Sequence, residues 1–178
     1  SSKLIHSDNP SKDLEYIIKM AEDGESIDLG NNIYLVSDSI DINKSIGLEN
    51  GILISNLKDK KVLFNILSDS NDTFNVSDAL VFLDNGDVFA LVNGFNDTNY
   101  IIDVPSINIS NNDFRPINNN VVGEAVTIVK LISGTEALSV KNEISILNNQ
   151  IASGMKLFDF DVDSIHDGSD VLVPSNTT

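Results

Sequence analysis

The first hydrophobic residues of the chain recur with the period of a helix. The segment begins at Pro10, which suits a first helical position, after Asn9, which can cap, and ends before Gly24, a natural stop. Its apolar members form one stripe at i, i+3, i+4 and i+7: Leu14, Ile17, Ile18 and Ala21. The pattern predicts a short amphipathic helix over residues 10–24, preceded by a tail over residues 1–9.

After Gly24 the hydrophobic period changes from 3.6 to 2. Short apolar runs are separated by corners rich in Asn, Asp and Gly, such as residues 84–87 and 93–94. The predicted strands are Ile27–Leu29, Ile40–Ile42, Ile52–Ile54, Val62–Ile66, Leu80–Leu83, Val88–Val92, Ile101–Val104, Ile107–Ile109, Val126–Leu131, Leu138–Val140, Ile144–Leu147 and Leu157–Val162. Strands this short and numerous predict a sandwich, a barrel or a β-solenoid.

A weak internal repeat favours the solenoid. Residues 107–114 (INISNNDF) align with residues 144–151 (ISILNNQI), and in both an apolar-x-apolar strand precedes Asn-Asn. In a parallel β-helix, stacked Asn side chains bridge successive coils, and Asn tolerates the left-handed backbone of a corner. We interpret the offset of 37 residues as two coils. The alternative is that Asn-Asn recurs by chance in a chain with 23 Asn.

Residues 13–54 resemble the opening of the adhesin-like surface proteins of methanogenic archaea. The shared pattern is a capping helix, then Ala-x-Asp-Gly-x-x-Ile-x-Leu, Gly and Tyr, then Ile-x-Ile-x-Lys-x-Ile-x-Leu. It falls on Ala21, Asp23, Gly24, Ile27, Leu29, Gly30, Tyr34, Ile40, Ile42, Lys44, Ile46 and Leu48. Two departures are Glu25, where Asp is usual, and the corner Leu48–Gly51, where a Gly normally comes earlier. The resemblance implies a right-handed parallel β-helix with a pectate-lyase-like fold, on the outside of the cell.

The expected fold class is therefore all-β: a single-stranded right-handed parallel β-helix, or solenoid, with a short N-terminal capping α-helix. The helix covers the open apolar end of the first coil, which would otherwise aggregate. The coils occupy residues 25–173. Residues 174–178 are expected to be a linker to a missing C-terminal part of a longer protein.

Charge and composition exclude several classes of partner. The net charge of -16 opposes binding to nucleic acid and to anionic lipid. The absence of Cys excludes disulfides and thiolate metal sites. No apolar run approaches a membrane span, so no membrane insertion is expected in this fragment.

An acidic segment near the C-terminus has two interpretations. Read as a twelve-residue calcium loop, it supplies oxygen ligands at five positions: Asp159, Asp161, Asp163, Asp167 and Asp170. Ser164, however, stands where such a loop needs Gly. In the alternative interpretation the segment is a strand with Phe158, Phe160 and Val162 inward and its Asp residues in solvent. Calcium is the only cofactor that the sequence suggests, and otherwise none is expected.

No catalytic residue is assigned. His6 and His166 are the only bases with an ordinary pKa near neutrality, and Arg115 is the only Arg that could bind an anionic sugar. The preferred function is a non-catalytic, secreted, adhesin-like cell-surface module, binding a polysaccharide, a cell-surface glycan or another cell-surface protein. The alternatives are a carbohydrate-active hydrolase or lyase on a β-helix, and a structural spacer.

Two loops, Ser68–Asn75 and Asn93–Tyr100, are the expected binding surfaces, because loops carry function while coils form the framework. Within the second, a small glycan-binding lip is predicted from Phe95, Asn96, Asn99 and Tyr100. Core stacking is the other possible role of these aromatic rings. Six N-x-S/T sequons also permit N-glycosylation, at Asn43, Asn71, Asn75, Asn96, Asn108 and Asn176.

Overall fold

The computed structural model describes residues 13–57, 62–84, 88–92, 95–96, 101–117, 127–132 and 139–161. These residues are mostly β, with one short helix, α1 (Asp13–Met20), and eighteen short strands. The all-β expectation is confirmed at this level, and within these residues all strand pairings but one are parallel.

Fifteen of the strands form three parallel sheets of five strands each. In spatial order the first sheet contains β1 (Glu25–Asp28), β4 (Ile46–Glu49), β7 (Thr73–Ser77), β12 (Ser106–Ser110) and β16 (Ile144–Leu147). The second contains β2 (Ile33–Val36), β5 (Ile52–Ser55), β8 (Leu80–Leu83), β13 (Asp113–Pro116) and β17 (Gln150–Ile151). The third contains β3 (Ile40–Ile42), β6 (Phe64–Ile66), β9 (Phe89–Val92), β14 (Thr127–Ile132) and β18 (Lys156–Asp161).

The remaining strands form a smaller sheet of β10 (Phe95–Asn96), β11 (Ile101–Asp103) and β15 (Ser139–Lys141). In it β10 and β11 are antiparallel, whereas β11 and β15 are parallel. In chain order the strands of the three larger sheets recur as first, second and third sheet, five times over. Each strand therefore pairs with its equivalents in the preceding and following repeats.

The interpretation of the 37-residue offset as two coils is wrong. Ile107 pairs directly with Ile144, and Ile109 with Ile146, so the two Asn-Asn segments lie in adjacent repeats. Between β12 and β16 the chain also forms β15, which stacks on β11 of the preceding repeat. The repeat is long because it carries this insertion.

The predicted binding loop Ser68–Asn75 is also wrong in part. Residues 68–72 do connect β6 to β7, but Thr73–Ser77 is a strand in the middle of the first sheet, between β4 and β12. Phe74 and Val76 have no exposed surface, because they point into the core while their neighbours in sequence point outward. The Asp-, Asn- and Ser-rich sequence before them concealed this alternation.

The corner between the first and second sheets has the left-handed backbone that the sequence predicts for Asn. Every repeat places one non-glycine residue there with φ between 54 and 59°: Asn31, Asn50, Asp78, Asn111 and Asn148. This left-handed conformation is less costly for Asn and Asp than for other L residues. In four of the five repeats the residue that follows is buried: Gly51, Ala79, Asn112 and Asn149. A Cβ added to Gly51, for example, would lie 2.6 Å from Leu29 Cδ1.

The interior is a single hydrophobic cluster built from all three large sheets. Its largest members are four fully buried rings: Phe64, Phe74, Phe89 and Phe114. Phe89 lies at the centre, with its ring centroid 5.5 Å from Phe64, 5.9 Å from Phe74 and 6.4 Å from Phe114. The aromatic stack therefore ties together side chains from three successive repeats.

Helix α1 lies against β2 with its predicted stripe inward. Leu14, Ile18 and Ala21 are buried, and Ile17 packs against the core, as the sequence predicts. The helix ends at Met20, and Gly24 turns the chain into β1 with φ of 87°. Tyr34 of the resemblance pattern is buried nearby in β2, and this burial raises the pKa of its phenol.

Candidate binding surfaces

The outer surface of the first sheet carries a regular set of uncharged polar side chains, which we call the polar face. Because Phe74 and Val76 of β7 point inward, as do Ile107 and Ile109 of β12, the alternate residues point outward. The polar face consists of Thr73, Asn75, Ser77, Ser106, Asn108 and Ser110. Its members pair in register: Thr73 with Ser106, Asn75 with Asn108, and Ser77 with Ser110.

The polar face is uncharged, although the chain carries a net charge of -16. Acidic residues border it on one edge, since Glu49 of β4 pairs in register with Ser77 and Asp28 of β1 pairs in register with Glu49. Neighbouring groups on the polar face are about 4.8 Å apart across strands and about 6.6 Å apart along a strand. The hydroxyl and amide groups therefore form a flat lattice of hydrogen-bond donors and acceptors.

A groove with a volume of about 420 Å³ runs beside α1. Its walls come from the helix and from the segment around β3: Glu15, Ile18, Lys19, Ser39, Ile40, Asp41, Asn43 and Lys44. Lys44 crosses the groove, and its Nζ donates to the carbonyl oxygens of Lys19, at 3.2 Å, and Ala21. Carbonyls at a helix C-terminus lack intrahelical partners, so Lys44 caps α1 and holds it on the sheets.

Replacing Lys44 by Met should loosen α1. The change keeps the aliphatic stem but removes two charge-assisted hydrogen bonds, so we expect a loss of about 1–2 kcal/mol in the free energy of unfolding. Thermal and urea denaturation would measure it, with Lys19→Met as the control, because the Lys19 side chain is exposed on the same helix. Equal stability of the two variants would show that Lys44 does not hold the helix.

The predicted glycan-binding lip lies only partly within the described residues. Phe95 and Asn96 form β10, which pairs with Ile102 and Ile101 of β11, so this part of the predicted loop is an antiparallel strand. Asn99 and Tyr100 fall outside the described residues. The lip stays a prediction.

The acidic segment is a strand where it is described. Phe158 packs against the core, and Asp159 lies beside Lys130 of β14 in the sheet register. An Asp159 carboxylate oxygen is 3.7 Å from Lys156 Nζ, so a lysine already balances part of its charge. Asp161 ends β18, and Asp163, Asp167 and Asp170 fall outside the described residues. Within the described ranges no three His, Cys, Asp or Glu side chains cluster closely enough to hold a metal ion.

Four of the six sequons have exposed Asn side chains. Asn71 lies in the turn before β7 and Asn43 follows β3, whereas Asn75 and Asn108 lie on strands, next to each other on the polar face. Asn96 is in β10, and Asn176 is outside the described residues.

The polar face itself was not predicted from sequence. Its signal is the alternation T-x-N-x-S and S-x-N-x-S at residues 73–77 and 106–110.

Comparisons with protein-family models, with curated proteins and with solved structures gave no match for this chain. None of the helices within the described ranges has the length and hydropathy that a membrane crossing requires.

Proposed function

We propose that the chain is a right-handed parallel β-helix capped by α1, with five coils of three strands each. The recurrence of the three parallel sheets in one order supports it, as does the left-handed residue that occupies the same corner of each repeat. The right hand follows the general preference of parallel β crossovers. In this arrangement α1 covers the first coil through its contact with β2.

We further propose that the protein is a non-catalytic, adhesin-like module of the cell surface that binds neutral glycans. The observation that carries this proposal is the polar face, which offers six uncharged hydroxyl and amide groups on a rigid sheet. Such groups form hydrogen bonds with sugar hydroxyls. Because this face carries no positive charge, it does not favour anionic polymers over neutral ones. The antiparallel pair of β10 and β11 is a second proposed contact.

The groove beside α1 favours one alternative, a glycan hydrolase. Glu15 and Asp41 both line it, and paired carboxylates are the usual catalytic groups of glycosidases. A spacer without ligands is the remaining alternative.

Co-sedimentation with insoluble neutral polysaccharides, combined with an assay of the supernatant for new reducing ends, tests these functions together. We expect retention of the chain without release of reducing ends. Changing Asn75 and Asn108 together to Ala should weaken retention by about tenfold, because both side chains point into solvent from the centre of the polar face.

A double change of Asn56 and Asn65 to Ala is the matched control, since it removes the same two amide groups from positions outside the polar face and the groove. Released reducing ends that disappear in a Glu15→Gln variant would overturn the non-catalytic proposal. If the chain is not retained and no reducing ends are released, the spacer is the remaining function.

A further inference from the structure

The outer surface of the second sheet is apolar, unlike those of the other two large sheets. In β2, β5 and β8 the inward residues, such as Val36, Leu53 and Val81, are fully buried. The outward residues between them are also large and hydrophobic: Ile33, Leu35, Ile52, Ile54, Leu80 and Phe82. We call these six side chains the apolar face. All are partly exposed.

The apolar face is a regular grid of two rows. Ile33, Ile52 and Leu80 are in register in one row, and Leu35, Ile54 and Phe82 are in register in the other. By contrast, the outward residues at corresponding places in the third sheet include Asp41 and Asn65. A strand with apolar residues on both faces is typical of a sheet that is covered on both sides.

Charged groups occur where both rows continue onto β13. Asp113 follows Leu80 in the first row, and Arg115 follows Phe82 in the second. Arg115 donates to Asp113 Oδ2 from Nε at 2.9 Å and from Nη2 at 2.6 Å. A guanidinium has five N–H donors, so it can bond a second carboxylate while it keeps the first. The Arg115 side chain is 56% exposed.

We propose that the apolar face binds a second copy of this chain, about a two-fold axis that runs between the two rows, across the strands. Such an axis sets each row against the other row of the second copy. Ile52 then faces Ile54, Leu80 faces Phe82, and Asp113 faces Arg115. Contacts related in this way occur twice in a two-fold dimer, so both Asp–Arg pairs form. In this arrangement, therefore, apolar side chains face apolar side chains and each charged side chain faces one of opposite charge.

The contact is small. Four strands about 4.8 Å apart and four residues long cover on the order of 250 Å² per chain, against about 800 Å² per partner in a stable dimer. The net charge of -16 on each copy adds repulsion that salt screens. We therefore expect weak association. It should strengthen as salt is raised, because salt screens the repulsion and favours the burial of apolar surface.

Analytical ultracentrifugation of the full chain from about 10 μM to about 1 mM, at low and high salt, tests the proposal. We expect a reversible monomer–dimer equilibrium that shifts toward dimer with salt. Ile54→Lys should weaken the dimer by about tenfold or more, because it places a charge at the centre of the contact. Asn108→Lys is the control with the same change of charge, since Asn108 lies on the polar face.

A charge exchange tests the two-fold arrangement itself. Arg115→Asp should weaken the dimer, because it sets Asp against Asp in both of the symmetry-related pairs on β13. The double variant Asp113→Arg with Arg115→Asp should restore it. A chain that is monomeric under all these conditions, or a dimer that Ile54→Lys leaves unchanged, would overturn the proposal. Urea denaturation of each variant at low concentration separates loss of association from loss of folding.

Discussion

Changing Asn112 to Ala is expected to lower the free energy of unfolding by about 2–4 kcal/mol. Asn112 is 2% exposed, and its amide joins three repeats. The Oδ1 atom accepts from the Ala79 N–H at 2.9 Å, while Nδ2 donates to the Val76 carbonyl and to Asn149 Oδ1, each at 3.0 Å. Alanine would leave the Ala79 N–H and the Val76 carbonyl buried without these partners, and unsatisfied buried groups are costly.

An aspartate at the same position should be worse than alanine. Its carboxylate could still accept from Ala79, but it could not donate to the Val76 carbonyl or to Asn149 Oδ1. Three oxygen-bearing groups would then lie together in the core, and an ionised one would also lose its hydration. The order of stability is therefore expected to be wild type, then Asn112→Ala, then Asn112→Asp at neutral pH.

Urea denaturation followed by circular dichroism would measure both changes. Asn108→Ala is the matched control, because Asn108 is an exposed Asn four residues earlier, and we expect less than about 0.5 kcal/mol there. Asn111→Gly provides a second comparison, since its φ of 58° suits glycine. If Asn112→Ala and Asn108→Ala have the same stability, the buried amide bonds contribute nothing net to the fold.

The Asn corner was predictable because its chemistry is local. Left-handed backbone favours Asn, and two Asn in succession provide one residue for the turn and one for the interior. The register between repeats was not predictable in the same way. The spacing of equivalent corners grows along the chain, from Asn31 and Asn50 to Asn111 and Asn148, as insertions such as β15 enlarge the later repeats. A fixed period therefore cannot be read from the residue numbers.

Two of the strands that the sequence analysis missed, β7 and β2, were missed for opposite reasons. β7 is masked by a polar neighbourhood, so the short alternation around Phe74 and Val76 is easily overlooked. β2 reads IYLV and shows no alternation, because both of its faces are apolar. The period of 2 identifies a strand only when one face meets water. β2 lacks this signal because it contributes Ile33 and Leu35 to the apolar face.

The candidate surfaces were less predictable than the fold. Sequence reasoning favoured loops, because loops usually carry binding residues. The polar face depends instead on pairing between β7 and β12, which brings Asn75 beside Asn108 from 33 residues away. Only the tertiary register shows that two unremarkable polar strands make one continuous surface.

Changing Phe89 to Ala is expected to have the largest effect of any single truncation in the aromatic stack, about 3–5 kcal/mol. Its ring is fully buried and has three aromatic neighbours, with the Phe64 ring stacked on it at an interplanar angle of 11°. The cavity left by the ring would lie between rigid strands of three repeats. Such strands cannot collapse into the space as easily as a surface loop could.

The matched control is Phe82→Ala, which removes the same side chain from the outer surface of the second sheet. At low protein concentration we expect this change to cost about 1 kcal/mol or less, because the Phe82 ring already contacts water. Phe89→Leu should fall between the two, since it keeps most of the apolar contact but loses the ring stacking. Urea denaturation at a fixed low concentration would measure all three. If Phe82→Ala proved as costly as Phe89→Ala, the stability of the chain would not be concentrated in a core enclosed by the three sheets, and the assignment of inward and outward faces, on which both proposed surfaces rest, would be wrong.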